Sequence, residues 1–367
     1  MLYFYVTSSE MHQLLKFLFL IIIYAGFVST ALAQTSYQSI DSRAASIKSG
    51  SVENLHSELV KGLTTDDEKV RAFYSWIANN IIYDVNEASR SYRAVVKQEP
   101  EVVFNSRRAV CHGYSALFQK FCELSNIKCF LVSGFSKLNG LFDETGHTWN
   151  MVYVNQKWNP IDVTWAAGGI NQQRRFVKNF SDQYFFSSPA DFLAEHYPFD
   201  PMWQLIEYPV SLSDYKRKGV IIADNKSKAI FNFRDTIAEW ERMDRIERAL
   251  SSASRMDRFN PGNKIIKQEL AFALLESGNN KFEQGNRILA ELYPKNTGDR
   301  KKQQTIKPDT DAFKNKLSEA EMYFLYAGNY YDQVKLTDPG ENQVLLNNKK
   351  ALKNNLDIIK RELASYR

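Results

Sequence analysis

One stretch constrains this chain more than any other: Arg108-Ala109-Val110-Cys111-His112-Gly113-Tyr114-Ser115-Ala116-Leu117-Phe118. From it onward Tyr114, Leu117, Phe118, Phe121 and Leu124 recur at intervals of three and four, the spacing that lays one face of a helix against a core. The spacing predicts a buried helix ending near Leu124-Ser125-Asn126, with Cys111 at its first turn. Unpaired N–H groups and the positive end of the helix dipole favour negative charge there, and the thiolate is the negative form of cysteine. Alone, this leaves two readings, an inert buried thiol or an activated one.

A buried helix needs partners on both sides. Upstream, Thr65-Asp66-Asp67-Glu68 has the capping-box pattern. Val70, Phe73, Ile77 and Ile81 then form one stripe with Trp76 beside it, ending near Tyr83-Asp84, which should pack on the cysteine helix. Downstream, residues 128–134 read as a buried strand and 139–146 as a glycine-rich loop leading to His147. Residues 148–154 and 157–165 read as two strands joined by a tight turn at Asn155-Gln156. With that two-residue turn Val154 faces Lys157, Trp149 faces Asp162 and His147 faces Thr164. His147 and Asp162 then lie on one face as diagonal neighbours. Pro160 marks an edge strand or an irregularity.

Residues 180–232, including Asp182-Gln183-Tyr184-Phe185-Phe186, read as extra strands and a short helix. Beyond them Ile237, Trp240, Met243, Ile246 and Leu250 keep helical spacing until Asn260-Pro261-Gly262. Further helices are expected at 263–277, 281–292, 312–334 and 342–364, paired through short turns at Gly278-Asn279-Asn280 and Asp338-Pro339-Gly340. No fixed period establishes a helical repeat. The organisation expected is a lead-in at 34–59, a mixed domain at 60–232 and a helical C-terminal domain at 233–367 that could recruit a protein partner.

The address comes from the N-terminus. Residues 17–28 are an unbroken apolar run after Lys16, followed by Ser29-Thr30-Ala31-Leu32-Ala33. The run is shorter than the roughly 20 residues a permanent span needs, and Ala31 and Ala33 make an export cleavage site. A signal peptide at 1–33, removal after Ala33 and a periplasmic or extracellular location are expected, with no stable membrane span afterwards. A net charge of +5 gives no reason to propose nucleic acid, and Arg300-Lys301-Lys302 reads as part of a solvated linker.

Three cysteines leave at least one without an intramolecular partner. Cys122 and Cys129 either pair or remain two buried thiols, and Cys111 is the odd one. A nucleophilic cysteine needs a base to take its proton, and the base needs a third group to orient it. Cys111, His147 and Asp162 can fill those roles. His112 adjoins Cys111 on a helix, where consecutive side chains diverge. The five histidines show no metal spacing, and neither HExxH nor a phosphate-binding glycine loop is present.

Three ordered pieces, Arg108-Ala109-Val110-Cys111-His112-Gly113-Tyr114-Ser115, Gly146-His147-Thr148-Trp149-Asn150 and Lys157-Trp158-Asn159-Pro160-Ile161-Asp162-Val163-Thr164-Trp165, resemble the transglutaminase-like superfamily of papain-like cysteine enzymes, in its bacterial exported form. The helix ending Trp76-Ile77-Ala78-Asn79-Asn80-Ile81-Ile82-Tyr83-Asp84 looks like the one preceding that core, so the resemblance covers roughly 60–200. It implies an α+β fold, the cysteine helix packed on an antiparallel sheet, followed here by an all-α C-terminal region. It implies Cys111 as nucleophile, His147 as base and acid, Asp162 as orienter, and no metal or organic cofactor. Protein or peptide amides would form a thioester, released to water by a peptidase or amidase, or to an amine by a cross-linking transferase. A binding protein on the same fold is the reading from another class. Trp149 is a candidate pocket wall, although an aromatic on a sheet also serves as core. Ala109 stands where the family commonly has glycine, and the only oxyanion donor assignable is the N–H of Cys111.

Overall fold

The computed structural model describes residues 37–88, 98–138, 140–218, 229–292, 310–334 and 339–365. The expected signal at 1–33, the cluster Arg300-Lys301-Lys302 and Asp338 lie outside the described residues. Among those described, no helix is long and apolar enough to cross a membrane. Backbone proximity groups the chain into two units, Met1–Val85 with Gln98–Leu131 and Trp149–Phe186, and Asn86–Lys97 with Val132–Thr148 and Ser187–Arg367.

The first unit opens with helices α1 (37–46), α2 (Val52–Val60) and α3 (Asp66–Asn80). The capping box forms as its sequence predicts: Glu68 N–H donates to Thr65 Oγ1 at 3.4 Å, and Thr65 N–H to Glu68 Oε2 at 3.1 Å. The N–H groups of Thr64, at 3.0 Å, and Thr65 both donate to Glu68 Oε2 and hold its carboxyl below its ordinary pKa. Strand β1 (Ile82–Tyr83), α4 (Val85–Ala88), α5 (Pro100–Ser106) and β2 (Arg108–Ala109) lead to α6 (Cys111–Leu124). The ring of Phe121 on α6 lies 5.3 Å from Phe73 and 6.1 Å from Trp76 on α3, so the two predicted stripes do meet.

Strands β3 (Cys129–Leu138), β4 (Leu141–Val154) and β5 (Lys157–Ile161) follow. Of the glycine-rich loop expected at 139–146, residue 139 lies outside the described residues, 141–146 are strand, and Gly140 takes φ +77°, open to glycine without strain. The β4–β5 turn is the one predicted: Asn155 and Gln156 have φ +53° and +61°, and Val154 pairs with Lys157. That register runs to Asn150 opposite Ile161 and stops. The second strand was expected to reach Trp165; instead Asp162 caps α7 (Val163–Ala167), so Thr164 is helical and does not face His147 across a ladder. A short hairpin, β6 (Gly168–Ile170) with β7 (Phe176–Lys178), closes this part. Of the expected strand at 182–186 there is one isolated bridge, Phe185 to Ile161.

Residues 187 onward contribute α8 (Pro189–Glu195), β8 (His196–Pro198), a 3-10 turn (Pro201–Gln204) and α9 (Leu212–Lys218). The main sheet has the order β5-β4-β3-β8, which puts Pro160 on an edge strand as its missing N–H demands. Helices α10 (Phe233–Glu241), α11 (Arg245–Phe259), α12 (Lys264–Leu292), α13 (Asp311–Gln333) and α14 (Pro339–Ser365) complete the chain.

Two expectations fail in that helical region. The single helix expected through Leu250 breaks at 242–244, because Asp244 caps α11 in a capping box with Glu247. The turn expected at Gly278-Asn279-Asn280 is absent, since α12 runs straight through it. Gly278 is there for proximity: a Cβ on it would sit 2.5 Å from the ring of Phe324 on α13. Gly285, further along α12, meets Leu317, earlier on α13, so these two helices run antiparallel, in place of the pair expected across 278–280.

Candidate active site

The start of α6 is fixed from behind. β2 pairs in parallel with β1, Ile82 opposite Arg108, and Asp84 N–H donates to Ala109 O at 2.9 Å. Val110 is the N-cap and supplies no side-chain cap, but its N–H donates to Gln98 Oε1 at 3.1 Å. Gly113 is required here: a Cβ would meet Gln98 Oε1 at 2.3 Å and Ala109 Cβ at 2.8 Å. Ala109 itself is buried in an ordinary extended strand, so the departure from glycine at 109 costs the backbone nothing. Gln98 was not singled out from the sequence, because it lies in a charged stretch without periodicity.

Cys111 is the first residue of α6 and partly exposed, whereas Cys122 and Cys129 are buried and also unbridged. The first turn of α6 holds no acidic side chain, unlike that of α3 with Asp66, Asp67 and Glu68. The helix dipole there is consequently not offset by a carboxylate, a setting that favours thiolate at Cys111. Burial pushes the Cys122 thiol well up, leaving it protonated and inert. Burial also lowers the pKa of His112, which keeps the adjacent imidazole neutral.

Asp162 is fully buried at 0% exposure. Its Oδ1 accepts the N–H groups of Thr164 at 2.8 Å and Trp165 at 3.1 Å, and its own N–H donates to Tyr184 O at 3.2 Å. His147, on β4, is 8% exposed. Asp162 thus opens α7 and is not part of the ladder expected to set it on the face of His147.

His196 is the residue the sequence did not suggest. It is fully buried on β8, opposite Ser136 of β3, with its ring stacked on Phe192 at 4.0 Å and 5.5 Å from the ring of His147. Trp149 is fully buried.

Residues 53–163 match the transglutaminase-like superfamily, and the chain is similar to several proteins that carry such a domain. The human kyphoscoliosis peptidase is 31% identical over 224 residues, covering 55% of this chain and 33% of that protein. Hillarin of Drosophila melanogaster is 25% identical over 211 residues, covering 50% of this chain and 25% of that protein. The chain thus spans about a third or less of the length of these relatives. A solved TGase structure aligns over 45% of this chain and 42% of its own, at 18% identity and a TM-score of 0.27.

The transglutaminase-like match contains Cys111, His147 and Asp162 and ends one residue beyond the last of them. His196 and helices α10 to α14 lie outside it. Within the chain, the mixed helix and antiparallel-sheet fold and the all-helical C-terminal region are those the sequence predicts.

Proposed function

We propose that this chain is an exported thiol enzyme that hydrolyses amide bonds of proteins or peptides. The observation that carries the reading is a partly exposed cysteine at a helix start within the same transglutaminase-like match as His147 and Asp162, each of which is buried. In the reaction, His147 takes the Cys111 proton and the sulfur attacks the amide carbonyl carbon. The tetrahedral oxyanion collects N–H donors at the start of α6. The C–N bond breaks as His147 returns the proton to the departing amine, leaving a thioester. Water, deprotonated by His147, attacks that thioester; the acid leaves and the thiol is restored. Asp162 orients the imidazole and stabilises its charged form, a task its buried, doubly hydrogen-bonded carboxylate suits.

The deciding experiment follows iodoacetamide alkylation of Cys111 against pH in the wild type, Cys111→Ala and His147→Ala. Alkylation persisting well below the ordinary thiol pKa of about 8.5, and lost with His147, is expected. Ordinary thiol behaviour in both backgrounds would sink the proposal. Incubation with a glutamine peptide and a labelled amine separates the outcomes: release of free acid alone is expected, and amine incorporation would make the enzyme a transferase. The mass of the chain recovered from an expressing cell's exterior tests export, with cleavage after Ala33 expected.

A further inference from the structure

A reaction of this kind depends on how the helix of Cys111 is set against the strand of His147. The side chain of Asn150 joins α6 to β4. Asn150 lies three residues beyond His147 on β4 and is fully buried. Its Nδ2 donates to the carbonyl oxygen of Ser115 at 3.1 Å, one helical turn along α6 from Cys111, and reaches Cys129 Sγ at 3.5 Å. Its main chain forms the last rung of the β4–β5 ladder, opposite Ile161, the residue before Asp162. Asn150 therefore grips α6 with its side chain while its backbone lies on the strand of His147, opposite the residue before Asp162.

Stability gives little reason for an amide at this position. Asn150 Oδ1 is buried with no hydrogen-bond partner among the described residues, and a buried unsatisfied acceptor costs about 1–3 kcal/mol. The Ser115 carbonyl is mid-helix, where helix geometry already gives it an N–H four residues on. A leucine has the same branching at Cγ, although it is larger, and would carry no such penalty. What leucine lacks is direction: a hydrogen bond fixes distance and rotation together, whereas apolar contact permits sliding.

We propose that Asn150 is the positioning residue for the Cys111–His147 pair, its Nδ2 bond to Ser115 setting α6 against β4. The inference rests on the thiol-enzyme reading above, and the two fail separately. In Asn150→Leu, alkylation of Cys111 at pH 6 falls at least tenfold and its pH profile approaches that of His147→Ala. The melting temperature is unchanged or higher, and Cys122 and Cys129 stay protected, read peptide by peptide by mass spectrometry. Asn150→Ser, whose hydroxyl is too short to span the gap, is the second variant and loses reactivity in the same way should the leucine be poorly accommodated. A folded Leu or Ser variant with the wild-type alkylation profile overturns the inference, whatever its melting temperature. A wild type without His147-dependent alkylation overturns the thiol-enzyme reading instead.

Discussion

Asp162 serves two needs with one carboxylate, and a single substitution separates them. As N-cap of α7 it accepts two backbone N–H bonds through Oδ1, which an asparagine oxygen can also do. In the proposed reaction it also supplies negative charge to His147, which asparagine cannot. Asp162→Asn should therefore lose less than about 1 kcal/mol in urea unfolding, while Cys111 alkylation drops to the level of His147→Ala. Equal losses in stability and reactivity would mean that the cap is its main role. At this scale the sequence told most about residues that carry local signals. Cys111 opens an amphipathic run, and His147 and Asp162 flank a hairpin whose turn is readable. Gln98 and His196 carried no local pattern: the first reaches Val110 across 12 residues and the second arrives beside His147 only once β8 joins the sheet.

Between elements, packing overrode pattern where a capping side chain or a close approach intervened. Asp162 and Asp244 each ended a run that periodicity alone would have continued, and Gly278 continued one that turn statistics would have ended. The α2–α3–α6 contact shows the opposite case, in which stripes read from the sequence met as expected, and it makes stability depend on pH. His56 of α2 lies against the rings of Phe73 and Phe121, and its Nε2 is 2.7 Å from Ser125 Oγ. Burial, with Lys69 adding in the same sense, lowers its pKa below the ordinary 6.5. As pH falls, the unfolded chain takes up this proton before the folded one does. The stabilisation is whole above about pH 6.5 and is lost as pH drops through the lower folded value. His112 shifts in the same direction and adds to the slope. The urea midpoint should thus fall between pH 7 and pH 5, and fall less in His56→Gln; parallel declines in the two proteins would rule His56 out as a contributor.

Across the whole molecule, the chain builds more than one apolar core. One gathers Phe73, Trp76, Tyr114, Phe118 and Phe121 around the helix of Cys111. Another gathers Phe313, Leu317, Phe324, Tyr331 and Ile359 within α12 to α14, and the two share no residue. The transglutaminase-like match stops at residue 163, before any part of the second core. Perturbations at sites without shared partners add nearly independently. Phe324 is fully buried against Gly278, so Phe324→Ala should cost about 3–5 kcal/mol in the helical region. Hydrogen exchange should then quicken in peptides of α12 and α13 but not in those of α3 and α6, and Cys111 should keep its wild-type alkylation profile. A loss of Cys111 reactivity in this variant would show instead that the helical region controls the thiol, and would turn the search for its role from partner binding to regulation.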